Sequence, residues 1–167
     1  MAKLEIKPDE TAQALQLTRE FDIPLEMVWR AWTDPEELKK WWGPKTFTCP
    51  HSEIDLRVGG KYLHCMRGPD GTDYWSTGLY REIVPGEKIV CTDCFADEQG
   101  NVVPATHYGF DETFPPEMLV TVTFKARGNN TTLTLQHAGV DRITETDRAN
   151  MAQGWNESFD KLAASIK

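Results

Sequence analysis

The sequence has no apolar run near the roughly 20 residues that a bilayer-spanning helix needs. It opens on MAKLEIKPDETAQA, which holds no apolar core of a secretory signal, so export is not expected. It also lacks any stretch rich in Lys and Arg. The 18 basic side chains face 26 acidic ones, for a net charge of −8. A nucleic-acid binder needs a basic footprint to displace counterions, and anionic lipid asks for the same. Neither nucleic acid nor a membrane is an expected partner. Familiar catalytic signatures are missing as well: GxSxG, HExxH and a glycine-rich phosphate loop do not occur.

Cysteine is scarce, with Cys49, Cys65, Cys91 and Cys94 alone. Without an export signal these read as reduced thiols of a cytoplasmic protein. Cys91 and Cys94 have CxxC spacing, but they fall in KIVCTDCF, which reads as a strand. Strand residues three apart face opposite sides, so the two sulfurs should diverge. No second CxxC and no HxxxH completes a zinc set. No metal or other cofactor is expected.

What is present is ordinary for one globular domain: 167 residues, 40% apolar and 26% charged. Residues 1–13 read as a polar leader and 14–167 as a single domain. ALQLTREF (14–21) alternates as a half-buried strand does. Pro24 suits the first position of a helix, and Leu25, Val28, Trp29 and Trp32 then keep helical spacing. Asp34-Pro35 ends that helix and starts a second, with Asp34 as cap and Glu36 and Glu37 in the first turn. The second helix should end at Trp41 or Trp42, where Gly43-Pro44 stops it.

From 47 to 139 the signals are strand-like, punctuated by turns at Val58-Gly59-Gly60-Lys61, Gly68-Pro69-Asp70-Gly71, Pro85-Gly86-Glu87 and Gly128-Asn129-Asn130. Strands joined by short turns are antiparallel neighbours. A segment at 96–117 is longer than ordinary connections and rich in aromatic residues, so it should fold over something or pair at a sheet edge. A last helix spans about 144–166. Its apolar stripe is Met151, Trp155, Phe159, Leu162 and Ile166. One stripe and one sheet face must each be buried. The fold class is therefore α+β: a curved antiparallel sheet wrapped around the C-terminal helix, with two short helices after the first strand.

The run REFDIPLEMVWRAWTDPEELKKWWGP (19–44) resembles the opening signature of START-like helix-grip proteins, the SRPBCC superfamily. Within it, the chain resembles the branch similar to the C-terminal domain of heat-shock chaperone ATPase activators. GGKYLHCMRGPDG, GLYREIVPGEKIV, VTVTF, TTLTLQHAGV and QGWNESFDKLAASI continue the likeness in order across about 15–166. The resemblance implies a hollow between sheet and helix that takes a small apolar molecule. Relatives in the superfamily bind lipids, polyketides or hormones, and a few are cyclases, aromatases or hydrolases. Chaperone activators carry an additional N-terminal domain for which this chain has no room. A chaperone contact is therefore a secondary expectation, and a homodimer stays open.

The expected cavity residues come from each element in turn. Tyr62, His64 and Met66 share one face of KYLHCMR, and Tyr80 lies on the inward face of the next strand. Phe95 and Phe110 flank or belong to the long aromatic segment. Trp155 and Phe159 would form the helix wall, with Gly154 either packing closely on the sheet or keeping space open. His64 would be a polar anchor. Paired with Asp93 or Glu82 it would be an acid–base couple in the enzymatic alternative. His137, in phase with Leu133 and Leu135, reads as an inward residue that caps or hydrogen-bonds to backbone rather than a catalytic one. Adjacent Trp41 and Trp42 cannot enter one core alike. The resemblance makes Trp42 the recurrent, buried one, a cavity residue packed under the short helices at the cavity end, and leaves Trp41 at the rim or a contact surface.

Overall fold

Residues 14–140 and 142–166 are described by a computed structural model. The leader expected at 1–13 lies outside them. Strand β1 (Leu15–Phe21) buries Leu15 and Phe21 at its ends and half-buries Leu17 between them, as its alternation requires. Helix α1 (Leu25–Thr33) is amphipathic and buries Val28, Ala31 and Trp32. Pro24 stands one place earlier than its expected position. It is the cap, and its carbonyl accepts the N–H groups of Met27 and Val28 at 3.0 and 3.2 Å. Asp34 ends α1 and caps α2 (Pro35–Leu38), its carboxylate accepting the Glu36 N–H at 2.9 Å.

Six further strands follow: β2 (Thr48–Ile54), β3 (Lys61–Arg67), β4 (Asp73–Val84), β5 (Lys88–Ala96), β6 (Met118–Arg127) and β7 (Asn130–Ala138). With β1 they form one seven-stranded sheet in the order β1-β7-β6-β5-β4-β3-β2, every neighbouring pair antiparallel. The sheet curls into a half-barrel around helix α3 (Glu145–Ser165). Thr144 caps α3 by accepting the Asp147 N–H at 3.0 Å. Curling brings strands very close at one point. A Cβ on Gly78 would stand 1.9 Å from the Thr92 carbonyl oxygen, so only glycine fits there. The β4–β5 register also slips between Tyr80 and Glu82, which bends the pair.

The connection from β5 to β6 does both things expected of it. Val102 bridges Ala96 at the sheet edge, and a 3₁₀ turn (Ala105–Tyr108) follows. The Tyr108 hydroxyl donates to the Ala96 carbonyl and accepts the Trp75 N–H, closing the end of the β4–β5 ladder. Phe110 and Phe114 then fold back onto Phe95, with ring centroids 5.3 and 6.2 Å away.

The core lies between α1, α2, α3 and the concave face of the sheet, around Phe21, Val28, Leu133, Leu135, Phe159 and Leu162. The expected order of the paired tryptophans is reversed. Trp41 is completely buried and its indole N–H donates to the Ala31 carbonyl at 3.0 Å, whereas Trp42 is half-buried. The cause is the length of α2, which stops at Leu38. The N–H groups of both Trp41 and Trp42 then donate to the Leu38 carbonyl, at 3.2 and 3.1 Å. Trp41 stands three residues after buried Leu38 and shares its inward face under α1. Trp42 falls one step round, at the margin of the interior.

Candidate functional site

Two hollows lie between the sheet and α3, and Trp42, Asp93 and Trp155 line both. The inner one holds about 30 Å³ and is bounded by Tyr62 and His64 of β3, Tyr80 of β4 and Trp32 of α1. The outer one holds about 490 Å³. Its floor is Met66, Tyr74, Ser76 and Phe95 from the sheet, and its roof includes Asn150, Met151, Gly154 and Ser158 of α3. Phe110 and Phe114 close one side, and the Gly43–Phe47 turn closes another. That turn is held by α3. Lys161 Nζ donates to the carbonyls of Pro44 and Phe47 at 3.0 and 2.9 Å, and Glu157 accepts the Lys45 N–H at 3.1 Å.

Strand alternation explains the polar residues between the hollows. On β5, Ile89, Cys91, Asp93 and Phe95 share the concave face. Asp93 Oδ2 lies 3.2 Å from His137 Nε2 on β7. The other ring nitrogen, Nδ1, accepts the Trp155 indole N–H at 3.2 Å. An indole can only donate, so Nδ1 is bare and the neutral ring carries its hydrogen on Nε2. That hydrogen faces Asp93 without lining up with it, which leaves the buried Nε2 with no true hydrogen-bond partner. Tyr62 sits at the other end of the carboxylate, 3.5 Å from Oδ1, but its hydroxyl donates to the Thr92 carbonyl at 2.7 Å.

His64 is 3% exposed, and burial pushes its imidazole down to about 3, against a smaller opposing pull from the Asp93 charge. It stays neutral, stacks on Tyr62 with ring centroids 4.7 Å apart, and shares a 3.0 Å hydrogen bond with the Ser52 hydroxyl through Nδ1. Neither acid–base partner considered for it makes that bond. Asp93 faces His137, and Glu82 pairs with Lys88 at 3.3 Å. Burial raises all four thiols, Cys49 and Cys94 to about 11 and Cys65 and Cys91 to about 12, so none is a ready nucleophile. Among the described residues, no group of three or more His, Cys, Asp or Glu side chains is arranged to hold a metal ion.

Of the residues expected in a cavity, Trp42, Tyr62, His64, Met66, Tyr80, Phe95, Phe110 and Trp155 line one or both hollows. Phe159 does not. It is fully buried among Phe21, Trp32 and Trp155 and belongs to the core. Sequence reasoning left out the polar face of α3. Asp147, Asn150, Gly154 and Ser158 recur at helical spacing beside the apolar stripe, a signal readable by the same periodicity. It assigned His137 to backbone, whereas its partners are the side chains of Trp155 and Asp93.

Gly154 also differs from the tighter of its two readings. A Cβ there would meet nothing nearer than Pro44 Cγ at 3.5 Å, an ordinary contact. The helix backbone is not pressed onto the sheet at this point; the missing side chain leaves open cavity. Gly154→Ala is therefore expected to raise stability by up to about 1 kcal/mol in a urea titration, the helix-propensity difference. A loss of stability would mean the site is tighter than its geometry.

Residues 22–167 match the family described as Activator of Hsp90 ATPase homolog 1-like protein. The chain belongs to the AHSA1 family. Solved structures similar to this AHSA1 chain include one from Chromobacterium violaceum, 31% identical, covering 93% of this chain and 97% of that one with a TM-score of 0.74. Another, from Arthrobacter aurescens, is 26% identical and covers 97% and 90% with a TM-score of 0.78. An AHSA1 protein from Silicibacter pomeroyi, 23% identical over 92% and 96% at a TM-score of 0.71, shares the fold. No curated protein matches the chain. Among the described residues, no helix is long and apolar enough to cross a membrane.

Proposed function

We propose that this protein binds a small, largely apolar molecule in the outer hollow between sheet and α3. The observation that carries the reading is the hollow itself. About 490 Å³, walled by Trp42, Phe47, Tyr74, Phe95 and Trp155 with a few converging polar groups, is the size and composition of a ligand site. Binding is favoured over cyclase, aromatase or hydrolase chemistry by the state of the polar groups. His137 uses Nδ1 to accept from Trp155, neutral His64 is tied to Ser52, and the thiols are held protonated. No activated nucleophile with a base in reach emerges from that set.

The test uses an uncharged probe whose emission rises in apolar surroundings, N-phenyl-1-naphthylamine, titrated with the protein. Saturable binding at one site is expected. Gly154→Leu should keep the fold, since leucine suits a helix, and its side chain should lean toward Asn150 and Met151 into the hollow. Affinity should drop at least about tenfold, the loss expected when a methylene-rich side chain takes the ligand's place. Absence of saturable binding, or equal binding by the folded variant, would remove the basis of the proposal.

A further inference from the structure

The outer hollow carries charge of one sign. Its walls contain two carboxylates, Asp93 of β5 and Asp147 of α3, and no Lys or Arg among the described residues. The basic side chains next to its lining are engaged elsewhere. Lys161 donates to the carbonyls of Pro44 and Phe47, Arg148 to the Val140 carbonyl at 3.5 Å, and Arg67 to Asp73 at 2.7 Å. The two carboxylates are not a metal site, since no group of three or more His, Cys, Asp or Glu comes together among the described residues.

Both carboxylates are within reach of a ligand, and neither is neutralised by the protein. The Asp93 side chain is 23% exposed. The neutral His137 ring beside it is out of line, and Tyr62 gives its hydrogen to Thr92. Asp147 is half-buried and has no ion-pair partner among the described residues. A third acceptor lines the same space. Ser158 is 4% exposed, its hydroxyl has no partner among the described residues, and its oxygen is not one of the buried polar atoms sealed from contact. A positive charge answers this set better than a neutral donor does. The attraction of a full charge to two carboxylates adds whatever the orientation, and each N–H to a carboxylate is a charge-assisted bond. The aromatic walls discriminate in the same direction, because a ring face attracts a cation through its quadrupole. An anionic head would be buried beside like charge with no cation to meet it, which is costly.

We propose that the ligand is an organic ammonium ion, an amine with an apolar body, its charged nitrogen bonded to Asp93 in the field of Asp147 and its body against the aromatic walls of the outer hollow. This rests on the cavity-binding reading above. In that pose the two carboxylates select the sign of the head group, and Trp42, Phe95 and Trp155 supply affinity for the body.

A matched set of probes separates the two ideas: butylbenzene, 4-phenylbutan-1-amine, 4-phenylbutan-1-ol and 4-phenylbutanoate, each titrated by calorimetry into the intact protein at neutral pH. The amine, protonated there, should bind at one site about tenfold or more tighter than the alcohol, and the acid should bind more weakly than either. Asp93→Asn and Asp147→Asn should each reduce the ratio of amine to alcohol affinity. If Asp93→Asn does not fold, Asp147→Asn, on the rim of α3, and the ratios for the unaltered protein still decide. Gly154→Leu, which fills the hollow, should remove the amine's advantage. Amine binding that survives in that folded variant would mark an acidic surface elsewhere and overturn the inference. An alcohol or acid that binds as well as the amine, while butylbenzene binds, overturns the ammonium inference alone. Failure of all four probes, butylbenzene included, overturns the cavity reading and this inference with it.

Discussion

Trp41→Ala is expected to lower the stability of the protein by about 3–5 kcal/mol, the usual cost of truncating a fully buried tryptophan. The ring has no exposed surface and packs at 4.8 Å from Trp32. Its loss would also orphan the Ala31 carbonyl that its indole N–H serves at 3.0 Å. Trp42→Ala should cost clearly less. Trp42 is half-buried and already borders both hollows, so its removal enlarges an existing space rather than opening a new one in close-packed core. The signature of Trp42→Ala should be altered probe binding instead, because its ring faces His64 at 4.7 Å and Trp155 at 5.6 Å. Denaturant titrations of the two variants side by side give the answer. A larger loss for Trp42→Ala would invert the assignment of these adjacent residues.

The second large effect is acid sensitivity set by His64. In the folded protein burial brings its imidazole down to about 3, while an unfolded chain returns it to the ordinary value near 6.5. Above the unfolded value both states are neutral at this residue, and pH has no effect through it. Below it, the unfolded chain takes up a proton that the folded one refuses. Stability then falls by about 1.4 kcal/mol for each pH unit, down toward the folded value. Between pH 6.5 and 5, above the range of ordinary carboxylates, the loss from this residue should be about 2 kcal/mol. His64→Gln keeps a polar group within reach of Ser52 and cannot be charged. Its stability should be flatter over that window, even if its value at neutral pH is lower. Parallel acid losses in the two proteins would show that His64 is not the sensor.

Much of this architecture was legible from local pattern. Alternation in β1, β6 and β7, the glycine turns between strands, and the Asp34-Pro35 junction all act over a few residues. The inward face of β3 was readable in the same way, even though Cys65 on its opposite face is also buried. The paired tryptophans were not. Whether Trp41 or Trp42 goes inward depends on where α2 ends, and helix ends are decided by what the next turn can bond to. Phe159 illustrates the same limit from another side. Its stripe on α3 was evident, but a stripe does not say which of its members meets core and which meets open space.

By itself, then, the sequence determined the order of elements, the antiparallel sheet and the single apolar stripe of α3, because each follows from side-chain period and turn chemistry. Only the tertiary structure decided that the interior stays hollow, that Gly154 borders the space rather than the sheet, and that Asp93, His137 and Trp155 meet. Those three come from β5, β7 and α3, and their contact depends on how far the sheet curls before the helix crosses it. That curvature is the summed result of strand twist, the Gly78 approach and the slip beside Tyr80, a quantity no short stretch of sequence carries.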